Sequence, residues 1–185
     1  MELVEVTGDQ AMLRQIYALR VEAWRTNIDV PDHLVEWHDA HDDMARHWAI
    51  ITDGIPIAAA RLTQHASLAE IPDVEIFGDL LVKSGIITPA ASLNRLVARP
   101  DMRGRGFARQ LDEIRIGAAK DNGATCVIAA VGSVPGNRHR VQQLQALGFS
   151  ILGTNLPYEE GLLAFANQMM SSTMILRFTP EGVPL

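Results

Sequence analysis

The run Ala124 to Val131, A-T-C-V-I-A-A-V, carries no charge. An unbroken apolar stretch this short belongs to a strand covered on both faces. Such a strand lies inside a sheet with other elements packed above and below it. Its neighbours fit that setting. S-L-N-R-L-V-A, Ser92 to Ala98, reads as a strand and R-P-D-M-R-G-R-G as a turn. Phe107, Leu111, Ile114 and Ala118 then form one helical stripe that ends at Asn122-Gly123.

The remaining segments supply further elements. Thr7 and Gln10 have the spacing of a capping box ahead of Leu13, Ile16, Tyr17, Leu19, Ala23 and Trp24, which predicts a helix over 8–26. Asp32, after Pro31, is placed to cap a second, shorter helix through Leu34, Trp37, His41 and Met44. Asp53-Gly54 separates two β-capable runs, 47–52 and 55–63, as a hairpin turn does. Residues 64–91 show no clear period and read as a long connection with a short helix around Phe77 to Val82. Gly132 to Gly136 is a loop, Asn137 to Leu147 a short helix with Val141, Leu144 and Leu147 inward, and Gly148 its stop. F-S-I-L and M-M-S-S-T-M-I-L-R-F, with 153–169 between them, close the chain as two strands. The order is that of a mixed α/β (α+β) layer structure, and 185 residues without repeats or linkers predict a single domain over 1–185.

Composition narrows the partners. The formal net charge of −6 argues against nucleic acid or an anionic membrane. The N-terminus M-E-L-V-E-V-T-G-D lacks the basic-then-apolar order of a signal peptide, and no apolar run reaches the ~20 residues of a membrane span, so a cytoplasmic location is expected. Cys126, the single cysteine, has no intramolecular disulfide partner and reads as a small core hydrophobe. The charge is divided unevenly. Residues 1–94 hold 15 Asp and Glu against six Lys and Arg, whereas residues 95–185 hold seven against ten. Nine of the basic residues, from Arg95 to Arg140, fall within one stretch, and an anionic ligand would prefer that half.

The segment that carries chemistry is R-G-R-G-F-A, Arg103 to Ala108, between the strand and the amphipathic helix. A helix start leaves backbone N–H groups without intrahelical partners at the positive end of the helix dipole. Phosphate oxygens fit there. Gly104 and Gly106 allow unusual dihedrals and close approach of a bulky diphosphate, and Arg103 and Arg105 add charge. The spacing is neither G-x-x-x-x-G-K-[ST] nor G-x-G-x-x-G, so neither an ATPase nor a dinucleotide oxidoreductase is favoured.

With these residues in view, the chain resembles the GNAT superfamily, the acyl-CoA-dependent N-acyltransferases. Their [RQ]-x-x-G-x-[GA] hallmark is met at every specified position by Arg103 to Ala108, and Asn137 with the terminal Leu147-Gly148-Phe149 is similar to the second half of the signature. The clear resemblance covers about 92–152. It implies the acyl-CoA-binding fold, a central mixed and mostly antiparallel sheet flanked by helices. It implies acetyl-CoA or another acyl-CoA as cosubstrate and a small-molecule or peptidyl primary amine as acceptor. Backbone N–H groups of Gly104, Arg105, Gly106, Phe107 and Ala108, with the Arg103 position, would hold the diphosphate. The Leu96 to Ala98 stretch, through Val97, would line the pantetheine arm and help polarise the thioester carbonyl. Asn137 would contact the pantetheine or a water, and Arg138 and Arg140, or Arg109, the 3′-phosphate.

Two features expected of the family are missing. Many members carry a glutamate on the strand before the loop, where this chain has Ser92, Leu93, Asn94 and Arg95, and a tyrosine where it has Leu144. Tyr158 is a weak substitute acid, and Cys126 as acyl carrier lacks an activating base. A catalytically weak acyl-CoA sensor therefore stands as the alternative to an enzyme. The stretch Glu36 to His47 packs four acids and three histidines into twelve positions. It reads as a solvated helix face or as one wall of an acceptor site; His38, His41 and Asp42 have helical spacing, but no metal signature surrounds them. L-R-V-E-A-W-R, the following D-x-x-D and His47 are loosely similar to acyl-homoserine-lactone synthases, a branch with longer acyl donors, although Arg95-Leu96 replaces that branch's R-F. The apolar last strand, Met169 to Phe178, leaves homodimerisation or a partner subunit open.

Overall fold

The apolar run becomes strand β5, Cys126–Gly132, which takes its place in a seven-stranded sheet. The computed structural model describes residues 1–72, 74–157 and 170–178. Along the chain the main elements are β1 (Glu2–Glu5), α1 (Gln10–Arg25), β2 (Arg46–Thr52), β3 (Ile55–His65), α2 (Val74–Lys83) and β4 (Ala90–Ala98). They are followed by α3 (Phe107–Asp121), β5, α4 (Arg140–Gln145), β6 (Ser150–Pro157) and β7 (Met170–Arg177). The strands are hydrogen-bonded in the order β1-β2-β3-β4-β5-β7-β6. β5 runs parallel to β4 and antiparallel to β7, and the pairs β1/β2, β2/β3 and β6/β7 are antiparallel. The mixed, mostly antiparallel sheet flanked by helices is the expected architecture.

The chain divides into two compact units. The first comprises Met1–Thr63 and Asn94–Arg115, and the second Gln64–Leu93 and Ile116–Leu185. In the first, Leu13, Ile16, Leu19 and Ala23 of α1 pack with Val6, Ala49, Ala59 and Val97. In the second, Phe77 and Leu81 of α2 pack with Ile71, Ile86, Ala90, Cys126, Ile128 and Ile175. A Cβ on Gly153 of β6 would lie 2.9 Å from Leu80, so the absence of a side chain there allows α2 its close approach.

Local chemistry explains where elements begin and end. The hairpin turn forms as expected, with Asp53 and Gly54 both at positive φ, 51° and 76°. α1 starts later than 8 because Asp9 is its N-cap, its carboxylate accepting from the Met12 N–H at 3.0 Å. Thr7 is otherwise engaged: its hydroxyl donates to Glu5 and accepts from the His47 N–H. In α3 the inward residue is Arg115, fully buried, while Ile114 is 41% exposed. Arg115 tolerates burial because it donates to Asp112 at 2.5 Å and to the carbonyls of Leu111, Arg61 and Asn94.

Three expectations are corrected. No helix forms between Asp32 and Met44; residues 26–45 are turns, bends and irregular backbone, and Met44 is exposed. Asp39 and Asp42 spend their carboxylates on nearby N–H groups, Asp42 on Asp39 and Asp39 on His41, which offers the backbone an alternative to helix. The connection after β3 is better ordered than its pattern suggests, since β3 runs to His65 and α2 spans Val74–Lys83. The helix placed at Asn137 starts at Arg140 instead, with Asn137 closing a 3-10 turn and donating to the Gly132 carbonyl at 3.0 Å. Leu144 is inward, and Val141 and Leu147 are half-buried.

Candidate functional site

β4 changes character midway. Its first half, Ala90 to Leu93, pairs with Cys126 to Ala129 of β5. At Arg95 the backbone enters the left-handed region at φ 52°, an uncommon conformation for a residue with a side chain, and the burial pattern slips. Asn94, Arg95 and Leu96 are all half-buried and Val97 is buried. This conformation is tied down by the residue's own side chain. The Arg95 guanidinium donates to Asp39 through Nε at 3.0 Å and Nη2 at 2.5 Å and lies 4.1 Å from the centre of the Trp37 ring.

After Ala98 the Arg99 N–H donates to the Ile57 carbonyl, and Pro100–Met102 forms a single 3-10 turn. Gly104 and Gly106 follow at φ 79° and 81°, and α3 opens at Phe107. Among the described residues, a Cβ built on either glycine meets nothing within 4 Å, so there is open space where a side chain would stand. The first-turn N–H groups of a fifteen-residue helix lack intrahelical acceptors, which suits a diphosphate. Phe107 is buried, Ala108 is half-buried, and Gly104, Arg105 and Gly106 are exposed. Arg103 points elsewhere: its Nη2 donates to the Ala23 carbonyl at 2.8 Å and the Thr26 hydroxyl at 2.9 Å.

Beside β4, in the same unit, lies a buried ionic network that the sequence reading did not assemble. Arg20 of α1 grips Asp42 with two 2.9 Å hydrogen bonds and donates to the Trp37 carbonyl. Arg61 of β3 reaches Asp39 at 2.6 Å and Asp42 at 2.9 Å, and Arg95 completes the set. The side chains of Arg20, Arg61 and Asp42 are 1% exposed, and Asp39, at 20%, forms the rim. Burial by itself would raise both carboxyl pKa values, but Arg95 and Arg61 at Asp39, and Arg20 and Arg61 at Asp42, outweigh it and hold both below the ordinary carboxylate range. Burial pushes the His47 imidazole below its usual value. Its Nε2 lies 3.1 Å from the Asp42 carbonyl, which can only accept, so in the neutral ring Nε2 bears the proton. His47 Nδ1 has no hydrogen-bond partner among the described residues.

The stretch Glu36 to His47 is solvated only in part: Glu36, His38 and Asp43 are exposed, whereas Asp42 and His47 are buried. With Asp42 committed to arginines, His38 rests against the Tyr17 ring at 5.3 Å rather than in a ligand set. The usable signal was Arg61, a charged residue inside the apolar run I-A-A-A-R-L-T, which demands buried acidic partners from elsewhere in the chain.

In the second unit, Ser92 shares a 2.9 Å hydrogen bond with His65, both buried. Cys126 is buried and its thiol pKa is raised by burial, which weakens the acyl-carrier reading. Asn137 and Arg140 are half-buried, Arg138 is exposed, and Arg109 is paired with Glu113 at 2.8 Å on the surface. Tyr158 lies outside the described residues. Among the described residues no helix is long and apolar enough to cross a membrane.

The sequence matches no protein-family model, and no curated protein matches it significantly. Solved structures do match over nearly the whole chain. A putative acetyltransferase, yncA, from Salmonella typhimurium with acetyl-CoA is similar at TM-score 0.64 and 14% identity, over 100% of this chain and 99% of that one. FeeM, an N-acyl amino acid synthase from uncultured soil microbes, is similar at TM-score 0.66 and 11% identity, over 96% and 95%. The ribosomal-protein-S18-alanine N-acetyltransferase of Escherichia coli is similar at TM-score 0.60 and 14% identity, over 99% and 94%. At these identities the likeness establishes the fold, which is that of the GNAT N-acetyltransferases.

Proposed function

We propose that this protein is an acyl-CoA-dependent N-acyltransferase that moves an acetyl group from acetyl-CoA to the primary amine of a small molecule or peptide. The observation that carries the reading is the R-G-R-G-F-A turn, with both glycines at positive φ and open space where their side chains would stand, after a strand with a left-handed residue at Arg95 and at the start of α3. The matched structures that act on alanine of a ribosomal protein or make N-acyl amino acids are consistent with an amine acceptor.

In this reading the backbone N–H groups of residues 104–108 bind the diphosphate, and Arg105 adds charge to them. Leu96, Val97 and Ala98 line the pantetheine arm. The free amine attacks the thioester carbonyl carbon, the C–N bond forms, and the C–S bond breaks to release CoA as its thiolate. The proton lost by the nitrogen returns to that sulfur through solvent. A preplaced backbone N–H beyond the left-handed Arg95 would stabilise the negative charge that builds on the carbonyl oxygen. Holding both reactants together supplies much of the acceleration in the absence of a carboxylate at 92–95. The single domain and the cytoplasmic location belong to the same proposal.

One observation favours a second reading, a longer acyl donor. The Arg20–Asp42–Arg61–Asp39–Arg95 network joins the L-R-V-E-A-W-R, D-x-x-D and His47 positions that resemble the acyl-homoserine-lactone synthases.

The test is thiol release from acetyl-CoA and longer acyl-CoAs with pooled amines, comparing the wild type with Gly106→Trp. Release that requires an amine and is lost in the variant supports the acyltransferase reading, and the preferred chain length separates the two donors. Acyl-CoA binding without release by any pool would make the protein a sensor. No binding would sink the reading of the turn.

A further inference from the structure

Arg103 stands first in the glycine turn, where a cation is expected to face phosphate, yet its guanidinium is spent on the end of another helix. The last carbonyls of a helix have no intrahelical donor and carry the negative end of the dipole. The Ala23 carbonyl of α1 accepts from three side chains: Arg103 Nη2 at 2.8 Å, the Thr26 hydroxyl at 2.8 Å and the Asn27 amide at 3.2 Å. Arg103 Nη2 also donates to the Thr26 oxygen at 2.9 Å. Ala23 itself is 3% exposed and belongs to the core of its unit.

We propose that Arg103 is a positioning residue and not a phosphate ligand: with Thr26 it clasps the glycine turn to the C-terminus of α1, which holds the N–H groups of 104–108 in their binding geometry. The reason is conformational. Gly104 and Gly106 give the turn two left-handed residues and the freedom that comes with them, and the backbone N–H groups can converge on a ligand only if something outside the turn restrains it. Arg103 is the residue immediately before the first glycine, and α1 is anchored by its core face. The clasp also joins the turn to the segment that begins at Thr26 and carries Trp37, Asp39 and Asp42. Charge for the diphosphate then falls to the helix start and to Arg105, which is exposed.

The proposal rests on the acyltransferase reading for its ligand, but not for its structural half. CoA affinity of the full chain is to be measured by calorimetry at two salt concentrations for the wild type, Arg103→Gln, Thr26→Val and the double variant. Amide hydrogen exchange over 104–108 is followed alongside. A clasp predicts that each single variant weakens CoA by about tenfold and speeds exchange in the turn. It also predicts that the double variant is no worse than either single one, the non-additivity of residues acting as one unit, and that the salt dependence is unchanged. If Arg103→Gln alone weakens CoA and flattens the salt dependence while Thr26→Val binds normally, Arg103 is a phosphate ligand and the proposal fails. It also fails if both variants merely melt earlier, with CoA affinity and turn exchange unaltered. If the wild type does not bind CoA, the acyltransferase reading falls, and exchange in the two single variants still decides whether the clasp exists.

Discussion

Residues 26–45 and residues 99–106 both connect regular elements, and they are held by opposite means. The first is fixed by side chains: two carboxylates buried among three arginines drawn from α1, β3 and β4. The second is shaped by backbone dihedrals, with a 3-10 turn and two glycines at positive φ, and its side chains add only the Arg103 clasp and an Arg99–Asp101 pair at the surface. Away from that clasp, a backbone device tolerates changes of side chain but not of conformation. An ionic device is the reverse, because removing one partner strands the others without water.

The contrast is tested most severely at Asp42. Asp42→Ala leaves Arg20 and Arg61 buried without their shared carboxylate, and such a break costs about 3–5 kcal/mol. The denaturant midpoint should fall accordingly at unchanged slope; a loss below about 1 kcal/mol would mean that the network contributes little to this fold. The smaller change belongs to the turn. Gly106→Ala forces a Cβ into the left-handed region at roughly 1–2 kcal/mol, with no clash, since nothing lies within 4 Å. Its stability loss should therefore be below that of Asp42→Ala, while thiol release falls at least about tenfold for a misplacement of the binding backbone.

The pH dependence near neutrality should come from His47, which borders the first region and hydrogen-bonds the Asp42 carbonyl. His47 has a lowered pKa in the fold, so the unfolded chain takes up a proton first, near the ordinary 6.5. Stability is complete above that pH and falls as pH drops below it. Asp39 and Asp42 are also lowered, and their contribution is present above the ordinary 3.8 and is lost as pH falls further. Melting temperatures between pH 7 and 4.5 should therefore decline in the wild type and stay nearly flat in His47→Gln. An equal decline in both would assign the effect to other groups. The smallest effect is expected at Arg109→Ala, an exposed helical pair with Glu113 worth about 0.3–0.5 kcal/mol. A drop in CoA affinity there, with stability unmoved, would assign Arg109 to the 3′-phosphate.

These two regions also differ in how far the sequence disclosed them. R-G-R-G-F-A between a strand and an amphipathic helix declares a phosphate-binding turn from spacing alone, because glycine reports directly on backbone dihedrals. Asp39 and Asp42 misled, since acidic residues at helical spacing look like a solvated face until their partners 20 and more positions away are known. The same limit explains Arg115, which took the inward position that periodicity assigned to Ile114 because Asp112 and three carbonyls were waiting for it.

Local rules, then, were sufficient for this chain's central strand, its Asp53-Gly54 hairpin, the stripe of α1 and the turn before α3, each written within a few consecutive residues. Only the tertiary structure decided that 26–45 is not a helix, that Arg95 takes a left-handed backbone with its guanidinium over Trp37, and that Arg103 turns from the expected phosphate toward Ala23 and Thr26. A charged side chain is placed by whichever partner folding brings to it, and sequence separation carries no trace of that partner.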